Sequence, residues 1–336
     1  MTGIMNEYQS YGDGSQIGTE QLLSLYRVMA RIRLVELKIE SLYHLDEMKT
    51  PIHLSLGEEA VAAGVCAHLH PEDLIFSSHR SHAHYLAKGG DLKAMIAELY
   101  CKETGCAKGR GGSMHLIDVS VGHLGSSAIV GGSIPHAVGA ALAFMMQDKK
   151  SVAVSFLGDA ASEEGVFFES MSLAALKRLP VVFVCENNFY SVCSHISARQ
   201  PNPDIAMRAR AFDIPAVKVD GMDAGQVFMK AGDAIHQARQ GSGPYVLECC
   251  VQRWRAHAGA GDPLREKYRA PQDLKPEWMR DPLADLEQVL RSQRAVKETV
   301  FQEITGMLNG EIEEAFHYAQ NGPLPRKEDL KKYLFA

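Results

Sequence analysis

Between Ser151 and Asn188 the chain writes one unit of a parallel sheet. Ser151 to Leu157 is a continuous apolar run of strand length, Glu164 to Leu179 has helical character, and Pro180 to Cys185 is a second apolar, β-rich run. Runs that are continuous rather than alternating mark strands covered on both faces, as parallel strands are. A strand, helix and strand so joined close with a right-handed crossover and end at the same sheet edge. The residues that follow the two strands, Gly158-Asp159 and Asn187-Asn188, therefore meet there. The expected fold class is α/β, with a central, mostly parallel sheet and helices on both faces.

The flanking sequence extends this pattern. Leu22, Leu25, Met29, Ile32, Ile39 and Leu42 recur at near-helical spacing, predicting a helix from about Thr19 to His44. A second helix is expected from near Gly57 to before Pro71, and a third from Asp91, a suitable N-cap, through Met95 and Leu99. Between these two lies a His-rich loop, Ser77 to His84. Residues 105–133 are so rich in glycine that no regular structure is expected there, only a loop folded closely around a ligand or partner. Further on, the pattern predicts a strand at Ala216 to Val219, a helix at Ala224 to Gln240 and a strand at Tyr245 to Gln252. Two helices follow in a C-terminal tail from Pro282 to about Tyr318. No repeat or linker divides the chain, so a polar leader, residues 1–18, and a single domain, residues 19–336, are expected.

Composition narrows the function classes. With 336 residues, 46% hydrophobic and 23% charged, the chain can bury a sizeable core. Its net charge of −6 gives no general attraction to nucleic acid or to an anionic membrane, so an anionic ligand has to be held by local groups. No apolar stretch approaches the roughly 18–20 residues that span a bilayer. The leader has neither the basic and apolar regions of a signal peptide nor the Arg-rich character of a transit peptide. An odd cysteine count of 7 does not form a secretory disulfide framework, and a cytoplasmic location is expected. Cys101 and Cys106 alone are a weak metal motif.

An Asp ending one strand and an Asn ending its parallel neighbour offer two hard oxygens to Mg²⁺ or Ca²⁺. Mg²⁺ takes six oxygens at about 2.0–2.1 Å, so a site this sparse needs a ligand's phosphates to complete it. A helix starting near Ser162 would add backbone N–H groups. Taken singly, Gly-Asp after a strand is ordinarily a turn and Asn-Asn a loop; the pair at one edge carries the information. The histidines His79, His82 and His84, beside Arg80, suggest zinc instead, but the arginine repels a cation and no Cys or carboxylate nearby completes the set.

The segment GDAASEEGVFFESMSLAALKRLPVVFVCENNFYSV resembles the thiamine diphosphate motif that runs from Gly-Asp-Gly to Asn-Asn. With HLSLGEEA (53–60), SSHRSHAHYLAKG (77–89), GCAKGRGGSMH (105–115), AIVGGSIP (128–135) and RWRAH (253–257), it makes the chain similar, from about Leu22 to Arg269, to α subunits of the E1 component of 2-oxo acid dehydrogenase complexes. The resemblance implies a thiamine diphosphate-binding fold. It implies Asp159, Asn188 and the Tyr190 carbonyl as Mg²⁺ ligands, and Arg80 with His79, where many relatives have Tyr, against the diphosphate. Ala128 and Val130 would line the cofactor, and Gly158, Ala160 and Ala161 would let the backbone approach it. His257 would sit beside the reacting thiazolium and assist proton transfer, and His53 would face the substrate channel; a hydrogen-bonded structural role is the competing reading of both. The GRGGSMH loop stays outside the catalytic set, because it could equally be a subunit contact.

The glutamate that contacts the aminopyrimidine belongs to the β chain in split members of this family, so the resemblance implies an α₂β₂ heterotetramer that is inactive as isolated α. Ala160 replaces the second glycine of the motif, which is tolerable only at negative φ. Glu163 and Glu164 replace Asn and Gln of relatives and must point away or pair. The serine that some eukaryotic relatives phosphorylate is missing from RWRAHAGAGDP. The implied reaction is oxidative decarboxylation of a 2-oxo acid, or cleavage of acetoin, with acyl transfer to a lipoyl E2; HRSHAH leans towards acetoin and related bacterial enzymes. An α/β thiamine diphosphate enzyme transferring an acyl or ketol unit without lipoate is the alternative, and a noncatalytic scaffold is a further one. A nicotinamide dehydrogenase fits poorly, since no Gly-x-Gly-x-x-Gly follows a predicted strand.

Overall fold

The structure, a computed structural model, describes residues 17–261, 267–269 and 280–332; the expected leader lies outside them apart from Ile17 and Gly18. In chain order the elements are α1 (Thr19–Tyr43), α2 (Glu59–Cys66), β1 (Leu74–Ser77), α3 (His82–Ala87), α4 (Leu92–Leu99), β2 (His123–Ser126), α5 (Ile134–Met146), β3 (Ala153–Gly158), α6 (Gly165–Lys177), β4 (Val181–Asn187), β5 (Tyr190–Ser191), β6 (Ser194–His195), α7 (Ala206–Arg210), β7 (Ala216–Asp220), α8 (Ala224–Arg239), β8 (Tyr245–Cys250), α9 (Pro282–Ser292) and α10 (Glu298–Asn321). Six strands form one sheet in the order β2-β1-β3-β4-β8-β7, and β5 and β6 make a separate small hairpin. Every pairing in the large sheet is parallel.

Alternation along the central strands explains both covered faces. Val154 and Phe156 of β3 and Val182 and Val184 of β4 pack with α2 and α8, whereas Leu157, Val181, Phe183 and Cys185 pack with α5 and α6. All seven residues of β4 are buried. Each fully buried Val or Phe contributes about 1.5–3 kcal/mol, so these strands anchor the edge at which they end. The C-terminal helices close a second layer: Ile312, Phe316 and Ala319 of α10 join the cluster containing α1 and α4, and Leu286 and Leu290 of α9 join that of Leu22, Leu25 and Met29. Asp91 caps α4 as its sequence predicts, accepting from the backbone N–H groups of Lys93 and Ala94. Among the described residues no helix is long and apolar enough to cross a membrane.

Three expectations are corrected. The Ser77–His84 stretch is only partly a loop, because Ser77 ends β1 and His82 and His84 lie on α3. The glycine-rich stretch contains β2, which pairs with β1. Its first part folds around the chain's own Glu98, whose buried carboxylate accepts from the N–H groups of Ala107, Gly109, Gly111 and Gly112 at 2.7–3.0 Å. A Cβ at Gly105 would lie 2.3 Å from a Glu98 carboxylate oxygen, so glycine is required there by packing rather than by a ligand. Lastly, the helix after β3 does not start at Ser162: Asp159–Glu163 form a 3₁₀ turn, and α6 begins at Gly165.

Candidate active site

In the sheet, chain direction diverges between β1 and β3: β1 leads on to β2 at one side, β3 to β4 at the other. Ligands of open parallel sheets bind beyond the carboxyl ends of strands at such a switch point. A cleft of about 200 Å³ opens there, lined by residues that follow β1, β2, β3, β4 and β8. His53, His79, Arg80, Ala128, Val130, Gly158, Asp159, Ala160, Ala161, Asn188, Tyr190 and His257 all line it. The structure thus brings every expected site residue to one cavity.

Register places the strand tips. Gly158 lies opposite Glu186, so Asp159 comes level with Asn187, the last residue of β4, and Asn188 is the next residue along. The two asparagines divide their work. Asn187 is buried, donates to Glu248 at 2.8 Å and accepts from the Phe189 N–H, whereas Asn188 lines the cleft. The Asn188 amide donates to Glu58 at 3.3 Å, and its oxygen accepts from the Tyr190 N–H at 3.2 Å. Asp159 is buried and ion-pairs with Arg199, which also holds Glu163. Burial raises the Asp159 carboxyl above its ordinary range, and the Arg199 guanidinium works against that rise. Glu163 therefore pairs, and Glu164 is exposed. Ala160 is not among the residues with positive φ, as its replacement of glycine requires. A Cβ built on Gly158 meets no atom within 4 Å, so the space before that backbone is open cleft.

The opposite wall joins two distant segments. The N–H of Trp254 donates to the Leu56 carbonyl and that of Gly259 to the Ile52 carbonyl, which sets His53 and His257 side by side. Gly57 makes this approach feasible: its φ is +93°, and a Cβ would come within 2.6 Å of the Gln252 carbonyl and the Trp254 indole nitrogen. Arg80 is buried, donating to the Leu54 carbonyl and, at 3.2 Å, to the His257 carbonyl, with Glu58 3.5 Å away. Arg253 approaches His257 Nδ1 at 3.4 Å and donates to the Tyr268 hydroxyl at 3.0 Å.

Charge in this wall is costly. Burial pushes the Glu58 carboxyl up to about 7, opposed by Arg80, and burial lowers the Arg80 guanidinium. Both shifts carry the same message: the pair is expensive to bury and is retained where an anionic ligand could use its cation. Burial, with neighbouring His79 and Arg80, lowers His53 to about 2; burial, with Arg80 and His257, lowers His79 to about 3. Both rings are neutral at ordinary pH.

Sequence reasoning did not assign Glu58, Glu186, Arg199 or Arg253 to the cleft or its rim. Glu186 was detectable in principle, since it interrupts the apolar run of β4, and a buried acid in such a run needs a partner. It has one in His84, at 3.1 Å. Arg199 gave no such signal. The suspected zinc set does not assemble: His82 bonds Glu36 and Ser113, His84 bonds Ser77 and Glu186, and only His79 reaches the cleft.

Fold and cleft together are those of an α/β protein that receives a ligand at the carboxyl edge of its sheet. Residues 27–328 match the family described as dehydrogenase E1 component, and the chain belongs to that thiamine diphosphate-dependent family. It is 38% identical to the α subunit of acetoin:2,6-dichlorophenolindophenol oxidoreductase of Bacillus subtilis, over 95% of this chain and 94% of that protein. It is 36% identical to the chloroplastic pyruvate dehydrogenase E1 component subunit alpha-3 of Arabidopsis thaliana, over 99% of this chain and 79% of that protein. With the pyruvate dehydrogenase E1 α subunit of Zymomonas mobilis the identity is 35%, over 93% and 87% respectively.

Proposed function

We propose that this chain is the α subunit of an E1 enzyme that decarboxylates a 2-oxo acid, or cleaves acetoin, and passes the acyl group to a lipoyl group of an E2 protein. The supporting observation is the single cleft that gathers all the residues expected to serve cofactor and metal. Similarity at 38% identity to two acetoin oxidoreductase α subunits makes acetoin the first substrate to test.

The residues present fit the cofactor. Arg80 and Arg253 supply buried cationic charge, and Gly158 leaves open space before the backbone. Bound thiamine diphosphate supplies the carbanion chemistry of the reaction. In this reading Asp159, Asn188 and the Tyr190 carbonyl hold Mg²⁺, and Arg80, His79 and His257 face the diphosphate. A cation at Asp159 has to displace Arg199, whose guanidinium keeps Glu163 as its partner. Gly158, Ala160, Ala161, Ala128 and Val130 form the apolar and backbone walls. His257 exchanges a proton at the reacting end, and neutral His53 offers a lone pair towards the substrate. The β chain completes the site with a carboxylate, in an α₂β₂ assembly located in the cytoplasm.

Co-expression with the adjacent reading frame, followed by a thiamine diphosphate-dependent screen over 2-oxo acids and acetoin, tests the activity. Asp159→Ala is expected to abolish binding of thiamine diphosphate with Mg²⁺, read by calorimetry, while the fold persists. Tyr190→Phe is expected to keep most binding, because the carbonyl survives. Equal loss in both variants contradicts the assigned metal roles, and full turnover by purified α chain contradicts the shared site.

A further inference from the structure

Three imidazoles meet in the wall of the cleft. Ligand nitrogens of His53, His79 and His257 all lie within 4.8 Å of one another, with ring centroids 4.7–5.4 Å apart. They come from three segments far apart in sequence: the loop before α2, the turn after β1 and the stretch after β8. His53 is only 6% exposed, and its Nδ1 is buried without a hydrogen-bond partner among the described residues. A buried nitrogen left unsatisfied is costly, and a ligand at that atom recovers the cost.

We propose that His53, His79 and His257 form a binding site for a tetrahedral d-block dication of the zinc class, and that this occupant and the diphosphate cofactor exclude each other. Zinc takes imidazole nitrogens at about 2.0–2.1 Å, which places three tetrahedral ligand nitrogens about 3.3 Å apart. From within 4.8 Å, each ring has to move by no more than about an ångström. Ligand chemistry separates the two metal classes in this cleft: Asp159, Asn188 and a carbonyl present hard oxygens suited to Mg²⁺, and the histidines present nitrogens suited to zinc, nickel or copper.

Arg80 and Arg253 oppose a second cation, but Glu58 and Glu186 line the same cleft and offset them. Three protein ligands leave the fourth position to water. The metal site itself stands on this geometry alone; the mutual exclusion rests on the reading above, in which His79 and His257 face the diphosphate.

The test uses the full chain with its β partner, stripped of cofactor and titrated with Co²⁺ as a spectroscopic probe. One equivalent is expected to give the visible bands of tetrahedral cobalt without the near-ultraviolet charge transfer of a thiolate ligand, and Zn²⁺ is expected to abolish them. His53→Ala and His79→Tyr should each weaken Co²⁺ binding at least tenfold, with melting temperatures measured without metal reporting that the variants fold. Thiamine diphosphate with Mg²⁺ should bleach the bands. Bands that are missing, that carry a thiolate signature, or that are unchanged in both variants overturn the site. Bands that survive saturating cofactor overturn the exclusion. Failure of thiamine diphosphate to bind in the absence of cobalt counts instead against the proposed function, so the two readings fail separately.

Discussion

His79 and His84 are five residues apart in one short run, yet they inhabit different chemistry. His84 and its neighbour His82 sit on α3, fully buried, with both ring nitrogens bonded: His82 to Glu36 and Ser113, His84 to Ser77 and Glu186. His84 also stacks on Phe156 at 3.9 Å between ring centroids. His79 stands before the helix and turns into the cleft, where its ring neighbours are His53 and His257 rather than carboxylates. The difference teaches that partner chemistry, and not residue type or proximity in sequence, decides whether a histidine is structural. A bonded ring between a hydroxyl and a carboxylate is held in one tautomer and orientation. A ring lowered by burial and met by other imidazoles rather than by a carboxylate keeps a lone pair available.

The largest expected effect comes from removing a core ring. His84→Ala leaves Ser77 and Glu186 without their ring partner and opens a cavity against Phe156; the unsatisfied polar atoms and the cavity together cost about 3–5 kcal/mol. His79→Ala removes a half-buried ring with no carboxylate partner and should cost less than about 1 kcal/mol. Urea unfolding of both variants at neutral pH measures the contrast, and equal losses would break the division into two groups. Cofactor affinity should show the reverse order: His79→Ala weakens it directly, and His84→Ala acts only through Glu186.

Some of this contrast was legible in sequence and some could not be. Fully covered strands write continuous apolar runs, so β3, β4 and β8 and the tips carrying Asp159 and Asn188 were readable from local pattern. The edge strand β2 was not: HLGS has little strand propensity and is held by pairing with β1. Helical phase placed α1 but gave no indication that α3 would start at His82, which is the single fact that sorts His79 from His82 and His84. The cleft trio depends on contacts between residues 53, 79 and 257, and no local period encodes those. Glu98 turned a glycine-rich stretch from an apparent ligand loop into a wrapped carboxylate, because four N–H donors found an acceptor inside the chain. Arg199 meeting Asp159 was equally invisible, since the hairpin of β5 and β6 carries it back over the strand tips.

Acid sharpens the comparison by ignoring it. Burial lowers His53 in the cleft to about 2 and His123, on β2, to about 3. Their unfolded value is about 6.5, so each remains neutral in the fold and takes up a proton only on unfolding. The stability this contributes is fully present above about pH 6.5 and is lost as pH falls towards the folded values. Glu58 acts with the opposite sign: raised to about 7, it contributes stability at low pH that is lost as pH rises from about 4.5 towards 7. The whole-protein profile mixes these terms, so the informative quantity is the difference between wild type and variant. Between pH 7 and pH 5, His53→Ala and His123→Leu should each lose about 2 kcal/mol less stability than wild type. Denaturant unfolding at the two pH values measures it, and an unchanged difference in either variant would mean that ring titrates in the folded state.

The smallest expected effect is also the one that isolates bonding from burial. His123 is fully buried like His82 and His84, but among the described residues neither of its ring nitrogens has a partner; the Tyr85 ring meets it edge-on at 5.6 Å. Leucine at this position removes two unsatisfied polar atoms and strands no carboxylate. At pH 8, where the lowered His123 ring is neutral, His123→Leu should therefore be neutral or stabilising by about 1 kcal/mol. His82→Leu, which deprives Glu36 and Ser113 of their ring partner, should destabilise under the same conditions. A loss of more than about 1 kcal/mol for His123→Leu would show that an ordered water satisfies the His123 nitrogens, and would move that residue into the same bonded class as its two neighbours on α3.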